Sequence, residues 1–141
     1  MRDVRRLRKP DYEVLAEFRR ALRAFTAFSA AAARAAGLTP QQHQALLVIK
    51  GAPGRETATI GEIAASLMIR PHSAAELVDR LAQLRMVERA VDPDDHRRVQ
   101  VALTEQAESV LDGLSAEHLR ELGAIRPTLL ALLERFEEPE A

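Results

Sequence analysis

The residues best suited to recognition chemistry follow Pro71, where helical spacing would place them on one outward face. They are His72, Ser73, Ala75, Glu76, Asp79, Arg80 and Gln83. On such a face a serine can bond to several bases or to phosphate, a histidine can donate to guanine or phosphate, and Glu76 can accept from a cytosine amino group. An ordinary solvated helix face has a similar composition, so the pattern leaves both interpretations open.

Enzyme chemistry finds little support in the chain. There is no cysteine, which excludes disulfides, thiolate metal sites and thiol redox sensing, and there is no G-x-S-x-G, P-loop, H-E-x-x-H or G-x-G-x-x-G motif. Asp94, Asp95 and His96 come closest to a metal site, but adjacent side chains on a hairpin point in different directions and no fourth ligand is evident. We therefore expect no catalytic residues, no metal and no cofactor.

Charge is distributed unevenly along the 141 residues, although the net charge is only -1. Residues 1–10 contain five basic residues (Arg2, Arg5, Arg6, Arg8 and Lys9), whereas residues 104–141 contain nine acidic ones. The two ends are therefore expected to have different surroundings. The N-terminus lacks the apolar stretch of a signal peptide and no apolar run approaches 18 residues, so we expect a cytoplasmic protein without a membrane partner.

A long helix is predicted from Pro10 to about Ala36, and Gly37 ends it. One apolar stripe runs along it at intervals of three and four, formed by Leu15, Phe18, Leu22 and Phe25. A helix of this length spans ~40 Å, more than a single small domain covers. Packing within the chain is an alternative, but dimerisation is the favoured interpretation.

Three further helices start with recognisable signals. Thr39 with Gln42, and Thr59 with Glu62, match the capping-box pattern, and the second pair opens a predicted helix from Ile60 to about Leu67. Pro71 suits the first turn of the next helix. The predicted inner face of that helix comprises Ala74, Leu77, Val78, Leu81 and Leu84.

After Arg85 the periodicity changes to alternation, which predicts a β-hairpin. Val87, Arg89 and Val91 would form one strand, and Val99, Val101 and Leu103 the other. The intervening residues Asp92, Pro93, Asp94 and Asp95 are typical of a turn. Thr104 would cap a following helix, and Arg126-Pro127 would start a last, separate one that includes Phe136.

Two short helices followed by a hairpin is the order of the winged helix-turn-helix, in which the second helix enters the major groove. The segment PHSAAELVDRLAQLRMVERAVDPDDHRRVQVALT (residues 71–104) resembles the MarR (multiple antibiotic resistance regulator) family, above all in LVDRL, VER and the wing pattern D-x-x-D-x-R ending in LT. The resemblance implies a mainly α fold with a small β-hairpin wing and long N- and C-terminal dimerisation helices. It also implies a homodimer that represses transcription by binding double-stranded DNA at a palindromic operator. A ligand would relieve this repression.

The resemblance also assigns roles to individual wing residues. Arg97 resembles the wing arginine that reaches into the minor groove, and Asp95 the acid that holds it, with Asp92 a structural element of the same wing; Arg98 is a predicted phosphate contact. A local Arg97–Asp95 ion pair that stiffens the hairpin is the alternative, and both can hold together.

A small aromatic effector is a further implication of the resemblance. The residues that would line its pocket are Phe25, Phe28, His43 and Leu47. The alternative, which we favoured for each, places Phe25 in the dimer core and makes His43 a surface histidine.

Two positions depart from the family pattern. Arg85 stands where the family usually has a glycine that ends the helix in a left-handed conformation, so it would either be strained by ~1 kcal/mol or the helix would end differently. Glu76 stands where a basic or small polar residue is common, so its acid is expected to alter base preference.

The predicted organisation is an N-terminal dimerisation helix (1–38), a DNA-binding domain (39–103) and C-terminal dimerisation helices (104–141). The main rival is a winged helix that binds proteins rather than DNA, since residues 70–100 balance six arginines against six acids.

Overall fold

The computed structural model describes residues 6–92, 94–95 and 97–135 and confirms a mainly helical fold with a small sheet. The elements in chain order are α1 (Lys9–Ala35), α2 (Pro40–Lys50), β1 (Thr57–Thr59), α3 (Ile60–Leu67), α4 (Pro71–Gln83), β2 (Val87–Val91), β3 (Val99–Leu103) and α5 (Glu105–Arg135). Arg2, Arg5, Pro93, His96 and Phe136, which entered the sequence predictions, lie outside the described residues. No helix in the described part of the chain is both long and apolar enough to cross a membrane.

The backbone divides into two compact units, residues 30–116 and residues 1–29 with 117–141. In the latter, the buried carboxylate of Asp11, only 1% exposed, ties the start of α1 to the end of α5. The Arg8 backbone N–H donates to its Oδ2 (2.7 Å) and Arg135 Nε donates to its Oδ1 (2.7 Å). A buried carboxylate needs such donors, because an uncompensated charge is costly away from water.

The capping boxes predicted for α2 and α3 are both present. Thr39 Oγ1 accepts from the Gln42 amide (3.1 Å) while Gln42 Oε1 accepts from the Thr39 amide (2.9 Å). Thr59 and Glu62 repeat this exchange at 3.1 and 3.2 Å. Each box satisfies two amides that the first helical turn leaves free, which fixes where the helix begins.

Two helices end in the left-handed region without a glycine. Arg85 (φ 59°) follows α4 and Met68 (φ 57°) follows α3. After α4 the Met86 amide donates to the Leu81 carbonyl (2.9 Å) and the Arg85 amide to the Ala82 carbonyl (3.0 Å), which is the Schellman pattern. The first of the two expectations for Arg85 is therefore correct: the helix ends as the family's glycine would end it, with an arginine bearing the strain.

The hairpin is confirmed, but it belongs to a three-stranded antiparallel sheet in the order β1-β3-β2. Val101 on the central strand lies opposite both Ala58 and Arg89, and its side chain is fully buried. No strand was predicted at β1, which pairs only with β3. Val91, at the end of β2 nearest the wing tip, is 55% exposed.

The core of residues 30–116 is formed by the apolar faces of its helices, which pack against the buried face of the sheet. Its largest fully buried side chains are Leu46, Ile49, Ile63, Val78, Leu81 and Val101. The inner face predicted for α4 is confirmed for Ala74, Leu77, Val78 and Leu81, which are buried. The prediction is wrong for Leu84, which is the C-cap residue of α4 and is 46% exposed.

The C-terminal segment is one helix, not two. α5 continues without interruption through Pro127 to Arg135. Proline has a helical φ and removes a single backbone hydrogen bond. Its ring would approach the carbonyl of residue 123, which is a glycine. One proline at this position therefore leaves the helix continuous.

Replacing Arg85 with glycine should stabilise the domain. Removing the left-handed strain is expected to raise the free energy of unfolding by about 0.5–1 kcal/mol, after allowing for the greater freedom of glycine in the unfolded chain. Arg80→Gly, in the exposed middle of the same helix, is the control and should lower it by about 1 kcal/mol. Urea denaturation with unchanged m-values measures both, and a lower midpoint for Arg85→Gly would contradict the strain argument.

Candidate nucleic-acid interface

The outward face of α4 is presented to solvent by burial of the opposite face. α3 packs against α4, and Ala74, Leu77, Val78 and Leu81 anchor the helix in the core. The side chains predicted to contact DNA point away from that core: His72, Ser73, Glu76 and Arg80 are exposed and Ala75 is partly buried. A helix held on one side and free on the other can enter a groove without rearrangement.

Two pairs organise the charges on this face. His72 Nε2 lies 3.2 Å from Glu76 Oε1, one helical turn away. Asp79 pairs with the guanidinium of Arg89 on β2, which links the helix to the hairpin. The second pair was missed from the sequence, because nothing local connects residues ten positions apart in different elements. It holds the outward face of α4 beside the strand that leads to the wing tip.

Aspartate side chains shape the wing tip through local turns. Asp92 Oδ1 accepts from the Asp94 amide (2.9 Å) and Asp95 Oδ1 accepts from the Arg97 amide (3.0 Å). The Asp92 amide donates to the Arg98 carbonyl (3.0 Å), which closes the hairpin. The predicted turn chemistry is confirmed for these described residues, and it gives both aspartates a structural task.

The side chain of Arg97 is almost free in solvent, at 95% exposure. Its Nε lies 3.8 Å from Asp95 Oδ1, at the outer limit of an ion pair, so the acid biases the arginine without neutralising it fully. Arg98 is exposed next to it. Both arginines border a groove of about 300 Å³ that is also lined by Thr59, Ile60, Gly61 and Val99. The wing cations and the start of α3 therefore share one open surface.

This arrangement can be compared with known proteins. The model of the MarR family matches residues 36–98. The matched segment runs from the end of α1 to the wing tip, so it covers the winged-helix part of the chain. No curated protein matches the chain in sequence.

Solved MarR-family structures share the fold. The MarR family transcription regulator SP03579 is 23% identical, with a TM-score of 0.68 over 89% of each chain. AbsC from Streptomyces coelicolor is 18% identical, with a TM-score of 0.67 over 92% of this chain and 85% of that chain. A single-residue variant of S. aureus MepR bound to an oligodeoxyribonucleotide is 19% identical, with a TM-score of 0.63 over 82% of this chain and 80% of that chain.

Thr104 joins three elements of the winged-helix domain. Its hydroxyl donates to the Arg85 carbonyl (2.7 Å), and its oxygen accepts from the Ala107 amide (3.2 Å) to cap α5 as predicted. Its own amide donates to the Met86 carbonyl (3.0 Å). One residue thus ties the end of α4, the base of the wing and the start of α5.

Lys50 is a second anchor that sequence reasoning missed. Its ammonium donates to Glu56 (2.9 Å) in the loop before β1 and to Glu108 (3.0 Å) on α5. Hydrogen bonding to Glu56 first, and then to Glu108, raises the pKa of Lys50 above its ordinary value. Its charge therefore persists at every physiological pH and holds the loop against both helices.

The residues predicted to line an effector pocket are divided between the two compact units. Phe25 and Phe28 belong to the unit that contains the C-terminal half of α5, and both place their rings edge-on to His118, at centroid distances of 5.7 and 5.3 Å. His118 Nε2 also lies 2.7 Å from Ser29 Oγ. His43 and Leu47 belong to the other unit.

The alternative interpretation of His43 as a surface residue is wrong, since it is only 4% exposed, whereas Leu47 is 50% exposed. A pocket formed by these four residues stays a prediction, as do the DNA contacts assigned on α4 and the wing.

Loss of the Thr104 hydroxyl should destabilise the domain. Thr104→Ala removes a helix cap and a donor to the Arg85 carbonyl, and we expect the free energy of unfolding to fall by about 1–2 kcal/mol. Thr104→Ser keeps the hydroxyl and should recover most of that loss. Chemical denaturation of the two variants checks this, and equal destabilisation would assign the effect to the methyl group instead.

Proposed function

We propose that this chain is a sequence-specific DNA-binding transcriptional regulator, a ligand-responsive repressor that binds a palindromic operator as a homodimer. The observation that carries the proposal is the Asp79–Arg89 bridge, which holds the exposed face of α4 beside the wing and its free arginines. A recognition helix and an adjacent wing can engage a major groove and the neighbouring minor groove together. A MarR-family relative of the same fold, the S. aureus MepR variant, was solved with an oligodeoxyribonucleotide.

In this proposal the contacts divide by role. His72, Ser73, Ala75, Glu76 and Arg80 face base edges, while Arg98 contacts phosphate. Arg97, which is 95% exposed, enters the minor groove, where a narrow groove concentrates negative potential. Asp92 and Asp95 keep the tip in shape through their bonds to backbone amides. Readout by the helix then supplies sequence preference, and the wing supplies affinity.

Dimerisation is supported by apolar side chains exposed on the unit formed by residues 6–29 and 117–135. Eight large ones are more than a third exposed: Leu7, Tyr12, Leu15, Leu22, Leu119, Leu122, Leu130 and Leu133. So many exposed leucines on two helices are typical of a surface covered by another chain. A second copy with two-fold symmetry would match a palindromic site. Residues 1–38 and 104–141 would then serve dimerisation, and residues 39–103 DNA binding.

Ligand response is the least supported part of the proposal. It rests on the family resemblance and on the four residues predicted from it, Phe25, Phe28, His43 and Leu47. A small aromatic effector bound there would change DNA affinity only if it bound one conformation of the dimer better than another.

A winged helix that binds proteins is the second candidate. Its specific support is the acidic content of α4, where Glu76 and Asp79 share the outward face. Acids repel phosphate, and a protein surface with basic side chains would attract them instead.

Selection of bound fragments from a genomic DNA pool, followed by salt titration of the enriched fragment, separates the two. A DNA regulator should enrich palindromic sites and lose affinity steeply as salt rises. Failure to retain any fragment, with a salt slope near zero, would favour the protein-binding alternative.

Arg97→Ala should weaken DNA binding by about 1–3 kcal/mol, roughly five- to a hundredfold, with little change in preferred sequence. The physical reason is loss of one cation from the wing without loss of a base contact. Fluorescence anisotropy on the enriched site measures the change. The control is Arg23→Ala, which removes an equal exposed charge from α1 and should bind DNA as tightly as the wild-type protein. Equal DNA affinity of the Arg97→Ala and Arg23→Ala variants would argue against the wing contact.

Leu119→Glu should shift the protein from dimer to monomer, because a carboxylate buried in an apolar interface lacks a partner. Leu119 is 68% exposed within one chain. Sedimentation should then give the 15.6 kDa of a single chain rather than twice that mass. Val91→Glu, a similar change at an exposed wing residue, should leave the dimer intact. A Leu119→Glu variant that remains dimeric would place the interface elsewhere.

A further inference from the structure

Glu76 is held in place by a neighbour on the outward face of α4. His72 Nε2 contacts Glu76 Oε1 at 3.2 Å, and the two side chains are 85% and 62% exposed. An exposed pair at this spacing adds little to helix stability. Its main consequence is therefore geometric: it restricts the carboxylate to the solvent side of the first two turns, the part of a recognition helix that meets bases.

The pair leaves hydrogen-bonding capacity unused. A carboxylate has two oxygens with about four acceptor positions, and the imidazole occupies a place at only one oxygen. Asp79, the other acid on this face, is engaged by the Arg89 guanidinium. Of the two acids on α4, Glu76 is the one that lies in the first two turns and is not paired with a guanidinium.

The major groove offers donors to such an acceptor selectively. Cytosine presents its N4 amino group, whereas guanine presents two acceptors and thymine an acceptor with a methyl group. Adenine presents a donor beside the N7 acceptor, which a carboxylate would face unfavourably. A fixed carboxylate therefore favours cytosine by attraction and disfavours the other bases by repulsion.

We propose that His72 and Glu76 form a specificity-determining unit that reads one cytosine in each half-site, Glu76 as the acceptor and His72 as the residue that positions it. This inference rests on the DNA binding proposed above. The acid also repels phosphates, so it lowers non-specific affinity while leaving the cytosine site favoured. The unit thus widens the gap between specific and non-specific binding.

The test is selection from a DNA library randomised across the half-site, with four full-length proteins: wild type, Glu76→Gln, His72→Ala and Glu88→Gln. Glu88 is an exposed acid on β2, so Glu88→Gln makes the same change in charge away from the start of α4. Wild type and Glu88→Gln should enrich cytosine at one position. Glu76→Gln should change that position to adenine, which glutamine pairs with, and bind the wild-type site roughly five- to a hundredfold less well relative to non-specific DNA.

His72→Ala should keep cytosine at that position with weaker discrimination. A common sequence enriched by wild type and Glu76→Gln would overturn the inference and leave the proposed function standing. Unchanged discrimination in His72→Ala would also overturn the unit as stated. If wild type enriched no sequence at all, the proposed function and this inference would fail together.

Discussion

The pairing register of the central strand β3 is the constraint on which the domain depends. Val101 is fully buried between Ala58 on one side and Arg89 on the other. A slip of one residue would turn this side chain to solvent, because side chains alternate between the faces of a sheet. It would also displace Thr104, whose hydroxyl and amide reach the end of α4. Burial of one valine thus fixes the wing against α4.

The charges of the interface show how a nearly neutral chain can present a surface for DNA. Three of the acids on α4 and in the wing have a local partner: Glu76 has His72, Asp79 has Arg89, and Asp95 has the amide and side chain of Arg97. Local pairing reduces their repulsion toward phosphate, while Arg97 and Arg98 remain exposed. Net charge over the whole chain therefore says little about the potential at this surface.

Sequence predicted the features that depend on neighbours along the chain and missed those that depend on distant ones. The capping boxes at Thr39 and Thr59, the start of α4 and the wing turn follow from side chains within three residues of the backbone they satisfy. β1 was missed because three residues without alternation become a strand only by pairing with β3, more than 40 positions away. The break expected at Pro127 is absent, since proline has a helical φ and removes only one of the backbone hydrogen bonds of this 31-residue helix.

The left-handed residue at the C-terminal end of α4 shows what the chain gains there by departing from glycine. Arg85 tolerates strain of about 1–2 kcal/mol in this conformation, yet it adds an exposed guanidinium at the base of β2 that glycine could not supply. The hydrogen bonds around it, from the Met86 amide to Leu81 and from Thr104 to the Arg85 carbonyl, hold the conformation in place. The strain is therefore confined to one backbone position beside the proposed DNA surface, where an additional positive charge has the largest electrostatic effect.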